Sequence, residues 1–234
     1  MKPYYEDDQA TLYLGDCRDV LPELPAESVD LLLTDPPYGM KWESGYRNVS
    51  FGQLVGDDGS LPILDILTLA LKVLRGSCHV YVFGLTDWGS LPIGGRCDLV
   101  WDKGLLGGGN LQLPWAPQHE RIAFGVYSPS KANRENGDGR LVARLRRGSV
   151  LRCDRPNASA VTLHPTEKPI PILRQMIESS SLMGDTVLDP FAGSGSTLVA
   201  AKLEGRCSIG VEIEERYAEV AARRLSQQVM PLEV

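Results

Sequence analysis

In Val187-Leu-Asp-Pro-Phe-Ala-Gly-Ser-Gly-Ser-Thr197, an apolar run, a glycine turn and a helical pattern follow one another, and this succession indicates the fold. The apolar run over residues 186–189 predicts a strand, and residues 196–203 predict a helix. Gly193 and Gly195 let the backbone approach a ligand closely where the helix begins. We interpret the stretch as one strand–turn–helix unit of a parallel sheet; the alternative is a turn that only packs a helix tightly on a strand.

An acidic residue ends the next apolar run, as expected for a nucleoside site. Glu212 lies near the end of the run Ile209-Gly-Val-Glu-Ile213, 23 residues after Asp189. An acid at this place in an α/β fold suits the two hydroxyls of a ribose. The complete G-x-G-x-x-G phosphate fingerprint is absent from the turn. A nucleoside without a pyrophosphate, such as S-adenosylmethionine, is therefore favoured over NAD.

Working outward from this unit, apolar runs of strand length alternate with helical patterns along the chain. This alternation is typical of an α/β protein with a mostly parallel, twisted, Rossmann-like sheet. Strands are predicted over residues 11–16, 28–34, 78–83, 96–101, 121–127, 186–189 and 207–213, and helices over 62–75, 170–182, 196–203 and 214–228. Residues 128–162 break the rhythm, with a short possible strand in 141–151. They predict an insertion between a catalytic half, 1–127, and a cofactor-binding half, 163–234.

Composition excludes several other classes of protein. With 43% apolar and 23% charged residues, the chain is neither wholly disordered nor collagen-like. The longest apolar stretch, residues 61–74, contains two charges and is shorter than the roughly 20 residues of a membrane span. The N-terminus has no apolar segment typical of a signal peptide. Five cysteines without C-x-x-C spacing argue against a disulfide framework and a zinc cluster, so we expect a cytoplasmic protein without a metal.

A second chemical site is predicted at Asp35-Pro36-Pro37-Tyr38, which follows a buried strand. Two prolines remove backbone donors and stiffen the turn, leaving the Asp35 carboxylate and the Pro36 carbonyl as acceptors beside an aromatic ring. Such a pocket suits the –NH₂ group of a flat heterocycle, which Tyr38 can stack against. Holding both amine hydrogens localises the nitrogen lone pair, and Asp35 can later accept a proton. The alternative is a proline-rich turn without chemistry.

The charge distribution points to a polyanionic partner although the net charge is −6. Residues 121–155 hold nine Lys or Arg against three acids, within an otherwise acidic chain. This asymmetry favours nucleic acid as a partner, and solvated surface is the alternative. The predicted DNA contacts are Lys131, Arg134, Arg140, Arg144, Arg146 and Arg147.

Four motifs in one order resemble the amino-methyltransferases of DNA. They are Asp35–Tyr38, Asp189–Ser196, His164-Pro-Thr-Glu-Lys-Pro169, and Gly15-Asp-Cys17. Trp115–Tyr127, with His119-Glu120, resembles the segment ahead of the family's target-recognition region. The catalytic motif precedes the cofactor motif, which is similar to the beta arrangement, and the resemblance covers roughly residues 10–225.

The resemblance implies a class I methyltransferase fold and transfer of a methyl group from S-adenosylmethionine to a base amine in double-stranded DNA. The base must leave the duplex to reach the pocket. Asp at position 35 is typical of adenine-N6 enzymes, and cytosine N4 is the alternative. Methylation of RNA or of a protein glutamine, or a DNA-binding protein with a degenerate site, are further alternatives. The resemblance also allows a homodimer and a restriction endonuclease partner. Residues 40–58 are expected to form a loop that closes over the flipped base, and a disordered connection is the alternative.

The site residues carry over position by position. The catalytic motif comprises Asp35, Pro36, Pro37 and Tyr38. Glu212 is expected on the ribose, Asp16 and Cys17 at the cofactor adenine, and residues 164–168 at its methionine end. The cofactor set comprises Asp16, Cys17, Asp35, His164, Pro165, Thr166, Lys168, Asp189, Phe191, Ala192, Gly193, Ser194, Gly195, Thr197, Glu212 and Ile213.

Overall fold

A computed structural model describes residues 1–37, 61–104, 112, 114–136, 147–153 and 167–227. The strands in these ranges are β1 (Tyr5–Glu6), β2 (Ala10–Leu14), β3 (Val29–Thr34), β4 (Leu74–Phe83), β5 (Ile93–Asp102), β6 (His119–Tyr127), β7 (Val150–Arg152), β8 (Thr186–Asp189) and β9 (Cys207–Glu212). The helices are α1 (Cys17–Val20), α2 (Ile63–Leu71), α3 (Lys131–Asn136), α4 (Ile170–Ser180), α5 (Ser196–Leu203) and α6 (Glu215–Ser226). None of these helices is long and apolar enough to cross a bilayer.

The described strands form one sheet in the order β1-β2-β9-β8-β3-β4-β6-β5-β7. Strands β2, β9, β8, β3 and β4 run parallel to one another, whereas β1 is antiparallel to β2, and β6 is antiparallel to β4 and β5. The predicted α/β fold with a mostly parallel sheet is confirmed. Strand β3 is followed by β4 on one side of it, and β8 is followed by β9 on the other side. A topological switch point therefore lies between the adjacent strands β3 and β8. Ligands of open α/β sheets bind in the crevice at such a point, beyond the carboxyl ends of the strands.

Strand β3 lies at the centre because both of its faces are apolar. Leu32 packs in one core cluster, with Ile66 and Leu67 of α2, while Leu31 and Leu33 pack in the opposite cluster, together with α4. A parallel strand covered by helices on both faces is expected to be a nearly continuous apolar run. The sequence Val29-Asp-Leu-Leu-Leu-Thr34 has this character, and it places the residue after it, Asp35, at the edge of the crevice.

The helix predicted over residues 62–75 is too long. Helix α2 ends at Leu71, and β4 begins at Leu74, so the last two residues of the predicted helix belong to a strand. The physical reason is a tertiary contact: Leu74 pairs with Val29 of β3, and Arg75 donates to Asp30 Oδ1 over 2.8 Å. Pairing with a distant strand thus overrides a local helical pattern.

The described parts of residues 128–162 join the main sheet. Strand β7 pairs in parallel with β5 at the sheet edge, and α3 packs on the same strand. A Cβ on Gly94 of β5 would lie 2.3 Å from the backbone oxygen of Arg134, so the close approach of α3 requires glycine there. Of the range 141–151, in which a short strand was predicted, residues 147–151 are described, and Val150 and Leu151 among them belong to β7. The role of this segment in target recognition stays a prediction.

Candidate active site

Carboxylates follow or end four adjacent parallel strands at one edge of the sheet. Asp16 follows β2, Glu212 ends β9, Asp189 ends β8, and Asp35 follows β3. Each acid was predicted from the end of an apolar run, but only the strand order makes the four runs neighbours. The result is an acidic crevice at the switch point of the sheet.

Glu212 is held in place by the backbone. Its Oε2 accepts from the N–H of Gly193 over 2.8 Å, and its Oε1 accepts from the N–H of Glu214 over 2.8 Å. The residue is 8% exposed, and burial raises the pKa of its carboxyl to about 7 despite these two hydrogen bonds. Each oxygen keeps a further lone pair, so the fixed carboxylate can accept from a ligand hydroxyl. Ile213, the next residue, is exposed beside it.

Asp189 joins the two predicted sites. Its Oδ1 accepts from Thr34 Oγ1 over 2.7 Å and from the N–H of Phe191 over 3.1 Å, and the carboxyl also bonds the hydroxyl of Thr197. It is 3% exposed, and burial raises its pKa to about 6. Asp189 therefore ties the end of β3, which carries Asp35, to the turn that starts α5.

The glycine turn is clasped from outside by a residue that sequence reasoning missed. Arg224 of α6 donates to the backbone oxygen of Ser194 over 2.9 Å, to Ser194 Oγ over 3.0 Å and to Ser196 Oγ over 3.2 Å. It also pairs with Glu167 over 2.9 Å. Within α6 the sequence shows only ordinary helical charges around Arg224, so nothing in it signals this contact.

Asp35 belongs to a chain of four side chains whose charges alternate in sign. Lys168 Nζ lies 2.7 Å from Asp35 Oδ2 and 2.9 Å from Glu120 Oε1, and Lys103 Nζ lies 3.1 Å from Glu120 Oε2. Lys168 was predicted at the methionine end of the cofactor, and the structure places its ammonium on Asp35. Sequence reasoning assigned no role to Glu120 or Lys103, although His119-Glu120 was noted in the resemblance.

Burial and pairing act against each other in this chain of charges. Burial raises the pKa of Asp35, while the Lys168 ammonium opposes the rise. Burial also disfavours the charged form of Lys168, yet the two carboxylates outweigh it and raise the pKa of Lys168. Glu120 has a lowered pKa because its two lysine partners outweigh its burial. The ammonium of Lys168 therefore stays charged between two carboxylates.

At the β2 end, the side chains of the two predicted residues have different surroundings. Asp16 caps α1 by accepting from the N–H of Arg18 over 2.8 Å, and it pairs with the Arg18 guanidinium. The thiol of Cys17 packs in the core, and burial raises its pKa to about 12. Any contact between the cofactor and Cys17 is therefore expected to use its backbone.

Other predicted residues are distributed as follows. Pro36 is buried, and Phe191 packs on the core near the turn that contains Ala192. Arg134 donates to the backbone oxygens of Ser128 and Pro129, and Arg147 donates to Ser179 Oγ over 3.1 Å and pairs with Glu178. Lys131 lies on α3. Outside the described residues lie Tyr38, His164, Pro165, Thr166, Arg140, Arg144 and Arg146, and the expected loop over 40–58.

The carboxylates and the glycine turn of the crevice fit the predicted cofactor. A fixed carboxylate, Glu212, stands beside the glycine turn and suits a ribose diol, and the acids at the strand ends suit a ligand with positive charge. Gly193 and Gly195 both have positive φ, at 51° and 80°, which only glycine adopts readily. A Cβ on Gly195 would lie 2.8 Å from Ala221 Cβ, so the turn packs directly on α6.

Comparison with known proteins agrees with the four motifs. A family model described as DNA methylase, for N6 and N4 enzymes, matches residues 97–223. The chain is 30% identical to the type II methyltransferase M2.LlaDCHI of Lactococcus lactis subsp. cremoris, covering 97% of this chain and 93% of that protein. It is also 30% identical to the putative methylase YubD of Escherichia coli strain K12, covering 91% of this chain and 88% of that protein.

Solved structures share the fold. PvuII DNA methyltransferase, named as cytosine-N4-specific, matches with a TM-score of 0.72 at 19% identity, covering 98% of this chain and 90% of that chain. The complex of M1.HpyAVI with SAM matches with a TM-score of 0.67 at 20% identity, covering 93% of this chain and all of that one. The predicted class I methyltransferase architecture is confirmed by these likenesses.

Proposed function

Because the chain belongs to the N6/N4 family of DNA methylases, we propose that it transfers a methyl group from S-adenosylmethionine to the N6 amine of adenine in DNA. The observation that carries this proposal is the placement of Asp35. Its carboxyl follows β3 at the switch point, joined through Thr34 and Asp189 to the turn that contacts Glu212. A group that can accept from a base amine thus stands next to a turn that can hold a nucleoside.

The residues of the chain would act on the amine as follows. The Asp35 carboxylate and the carbonyl of Pro36 would each accept a hydrogen bond from one N–H group of the amine. These two hydrogen bonds would localise the lone pair on the nitrogen. When bound, S-adenosylmethionine supplies an electrophilic methyl group. The new bond between nitrogen and the methyl carbon would replace the carbon–sulfur bond of the cofactor, with S-adenosylhomocysteine as the leaving group. Asp35 would take the proton that the nitrogen loses and pass it to solvent. No covalent bond to the protein is required.

We assign the cofactor to the part of the crevice at the carboxyl ends of β2, β9 and β8. Glu212 would accept from the ribose hydroxyls, the turn with Gly193 and Gly195 would lie against the nucleoside, and Asp16 would lie at the adenine. Residues His164, Pro165 and Thr166 stay assigned to the methionine end by the resemblance alone. The M1.HpyAVI–SAM structure, of similar fold, supports this choice of cofactor.

Cytosine N4 is the second candidate for the target. The similar fold of PvuII DNA methyltransferase, which is named as cytosine-N4-specific, favours it. Asp at position 35 favours adenine, since cytosine-N4 members of the resembling family more often carry Ser there. The relatives named as type II methyltransferases support double-stranded DNA as the substrate and a restriction endonuclease as a partner in the same system. A homodimer stays a prediction.

The test is methylation of a plasmid in a host that lacks both base modifications. Mass spectrometry of the nucleosides and modification-aware sequencing report the base and the recognition sequence together. N6-methyladenine at one sequence motif is the expected product. Detection of N4-methylcytosine would support the second candidate instead. A plasmid that contains neither methylated base would overturn the proposal.

Asp35→Ala provides the matched inactive variant. We expect it to abolish methyl transfer, because it removes the acceptor of the amine proton. Its affinity for S-adenosylmethionine is expected to stay within about threefold of the parent, a difference of less than about 0.7 kcal/mol. Isothermal calorimetry and a tritium-transfer assay measure the two properties separately. Near-normal turnover by this variant would contradict the role of Asp35.

A further inference from the structure

Lys168 is almost enclosed at the edge of the crevice, with its side chain 11% exposed. Its ammonium bridges Asp35 Oδ2, at 2.7 Å, and Glu120 Oε1, at 2.9 Å, and lies 5.0 Å from the centre of the Phe83 ring. Lys103 continues the chain by pairing with the other oxygen of Glu120 over 3.1 Å. Two ammonium groups and two carboxylates thus alternate, and their formal charges cancel.

The arrangement is assembled from four separate parts of the fold. Asp35 follows β3, Glu120 is in β6, Lys103 follows β5, and Lys168 lies two residues before α4. Burying charged groups carries a desolvation cost, and apolar residues of similar volume often stabilise a fold as well or better. Stability is therefore a weak reason for three further charges to form a chain that ends at the Asp35 carboxylate. Control of that carboxylate is a stronger reason.

We propose that Lys168 is a positioning residue that holds the Asp35 carboxylate in its ionised form through Oδ2 and turns Oδ1 toward the amine of the target base. Glu120 anchors Lys168 in this position, and Lys103 anchors Glu120. The inference rests on the proposed methyl transfer. It differs from a role of Lys168 in binding the cofactor, because the Lys168 ammonium contacts Asp35, the residue that accepts a hydrogen bond from the base amine.

The charges around Asp35 determine the sign of each substitution. Asp35 faces the lysines Lys168 and Lys103 and the carboxyl groups of Glu120 and of Asp189 on β8. Loss of the Lys168 charge leaves Asp35 among carboxyl groups, so its pKa rises and the ionised form needs a higher pH. Loss of the Glu120 charge removes a repulsion, so the pKa of Asp35 falls. A purely structural role for the two residues would not produce shifts of opposite sign.

The experiment compares full-length Lys168→Met, Lys168→Arg and Glu120→Gln with the parent enzyme. Lys202→Met is the matched control, because Lys202 forms a comparable pair with Asp7 over 2.6 Å, on α5 and away from Asp35. Single-turnover methyl transfer to plasmid DNA is measured from pH 5.5 to pH 9.5. Calorimetry measures the affinity for S-adenosylmethionine, and thermal unfolding confirms that each variant is folded.

For Lys168→Met we expect a loss of about 100-fold in the transfer rate near neutral pH, as for a misplaced reacting group. The acid limb of its pH profile should move upward by about 1–3 units. Lys168→Arg should keep the limb at the pH of the parent, and Glu120→Gln should lower it. The affinity for S-adenosylmethionine should be unchanged in all of them, and Lys202→Met should match the parent throughout.

The outcomes separate the two proposals. If the parent enzyme methylates no base, the proposed function fails. If the parent is active but folded Lys168→Met keeps its rate and its pH profile, only the inference about Lys168 fails. A loss of affinity for S-adenosylmethionine with an unmoved acid limb would return Lys168 to the cofactor and overturn the inference. Should Lys168→Met not fold, an upward shift of the acid limb in Glu120→Gln would overturn it equally.

Discussion

Glu212 shows how a single residue can make ligand binding depend on pH. Burial raises its pKa to about 7, against the two N–H groups that favour its charged form. Since this pKa lies above the ordinary value of 4.5, folding disfavours ionisation. The contribution of Glu212 to stability therefore becomes less favourable as the pH rises from about 4.5 to about 7. A ligand that donates two hydroxyl hydrogens to the carboxylate would compensate for this cost.

We expect the affinity for S-adenosylmethionine to increase from pH 6 to pH 8 and then to level off. The ionised carboxylate accepts from the ribose better than the protonated form does, so binding should release a proton. Calorimetry in two buffers with different ionisation enthalpies measures both the affinity and the proton release.

Glu212→Gln is the matched control for this pH dependence. It should bind S-adenosylmethionine about tenfold to a hundredfold more weakly at pH 8, corresponding to the loss of charged hydrogen bonds of about 1.5–3 kcal/mol. Its affinity should change less with pH than that of the parent. A parent affinity that is flat from pH 6 to pH 8 would show that another acid holds the ribose.

At the scale of elements, α6 supports the cofactor turn although it lies outside the crevice. Arg224 bonds Ser194 and Ser196 and pairs with Glu167, which belongs to the motif just before α4. Ala221, one turn earlier on α6, packs on Gly195. Two contacts from one helix therefore hold the shape of a turn that contains two glycines.

We expect Arg224→Ala to lower the free energy of unfolding by about 1.5–3 kcal/mol, because it removes hydrogen bonds of a charged donor to partly buried acceptors. Affinity for S-adenosylmethionine should fall as well, since the turn loses its support. Arg223→Ala is the matched control from the same helix. Arg223 pairs with Glu219 on the exposed side, so its loss should cost only about 0.3–0.5 kcal/mol. Urea unfolding measures both variants, and equal losses would contradict the role of Arg224.

Two glycines with similar φ separate the conformational cost from the cost of packing. Gly184 has φ of 83° and open space where a Cβ would be, while Gly195 has φ of 80° and Ala221 in the way. Gly184→Ala should lose about 1–2 kcal/mol of stability, for the positive φ alone. Gly195→Ala should lose about 1–3 kcal/mol more, because its methyl group overlaps α6. Thermal and urea unfolding check the difference, and similar losses would mean that α6 yields easily.

At the scale of the whole molecule, the sheet order separates two charge environments. The acidic crevice lies where β2, β9, β8 and β3 end, whereas α3 and β7, from the basic segment, lie beside β5 at the far edge. Among the described arginines of that segment, Arg147 is engaged with Glu178 and Ser179 of α4. An arginine held by its own chain is less available for a phosphate.

Salt dependence of DNA binding tests which basic residues reach the backbone. Each phosphate contact contributes roughly 0.9 to the slope of log affinity against log salt. We expect Arg144→Ala with Arg146→Ala to flatten this slope by about 2 units, an expectation that rests on the sequence alone. Arg147→Ala should change it by less than about 0.5, because its partners are on α4. Fluorescence anisotropy from 50 to 300 mM salt measures the slopes. Unchanged slopes in the double variant would exclude these arginines from the DNA interface.

Local patterns of the sequence predict several parts of this protein correctly. Strand β8, the glycine turn and α5 are where residues 186–203 predict them, because apolar period, glycine and helix propensity act between near neighbours. Asp35, Asp189 and Glu212 were found for the same reason: each stands where an apolar run ends. Four motifs in a fixed order then sufficed for the family.

Only the tertiary structure decided what these residues contact. Asp189 bonds Thr34 across 155 positions of the chain, and the partners of Lys168 and of Arg224 belong to other elements. The same holds for the end of α2, where pairing of Leu74 with Val29 replaces a helical turn with a strand. Such contacts depend on which strands become neighbours. Neighbouring strands are chosen by burial of apolar faces over the whole sheet, and a side chain carries no local mark of the partner it will meet.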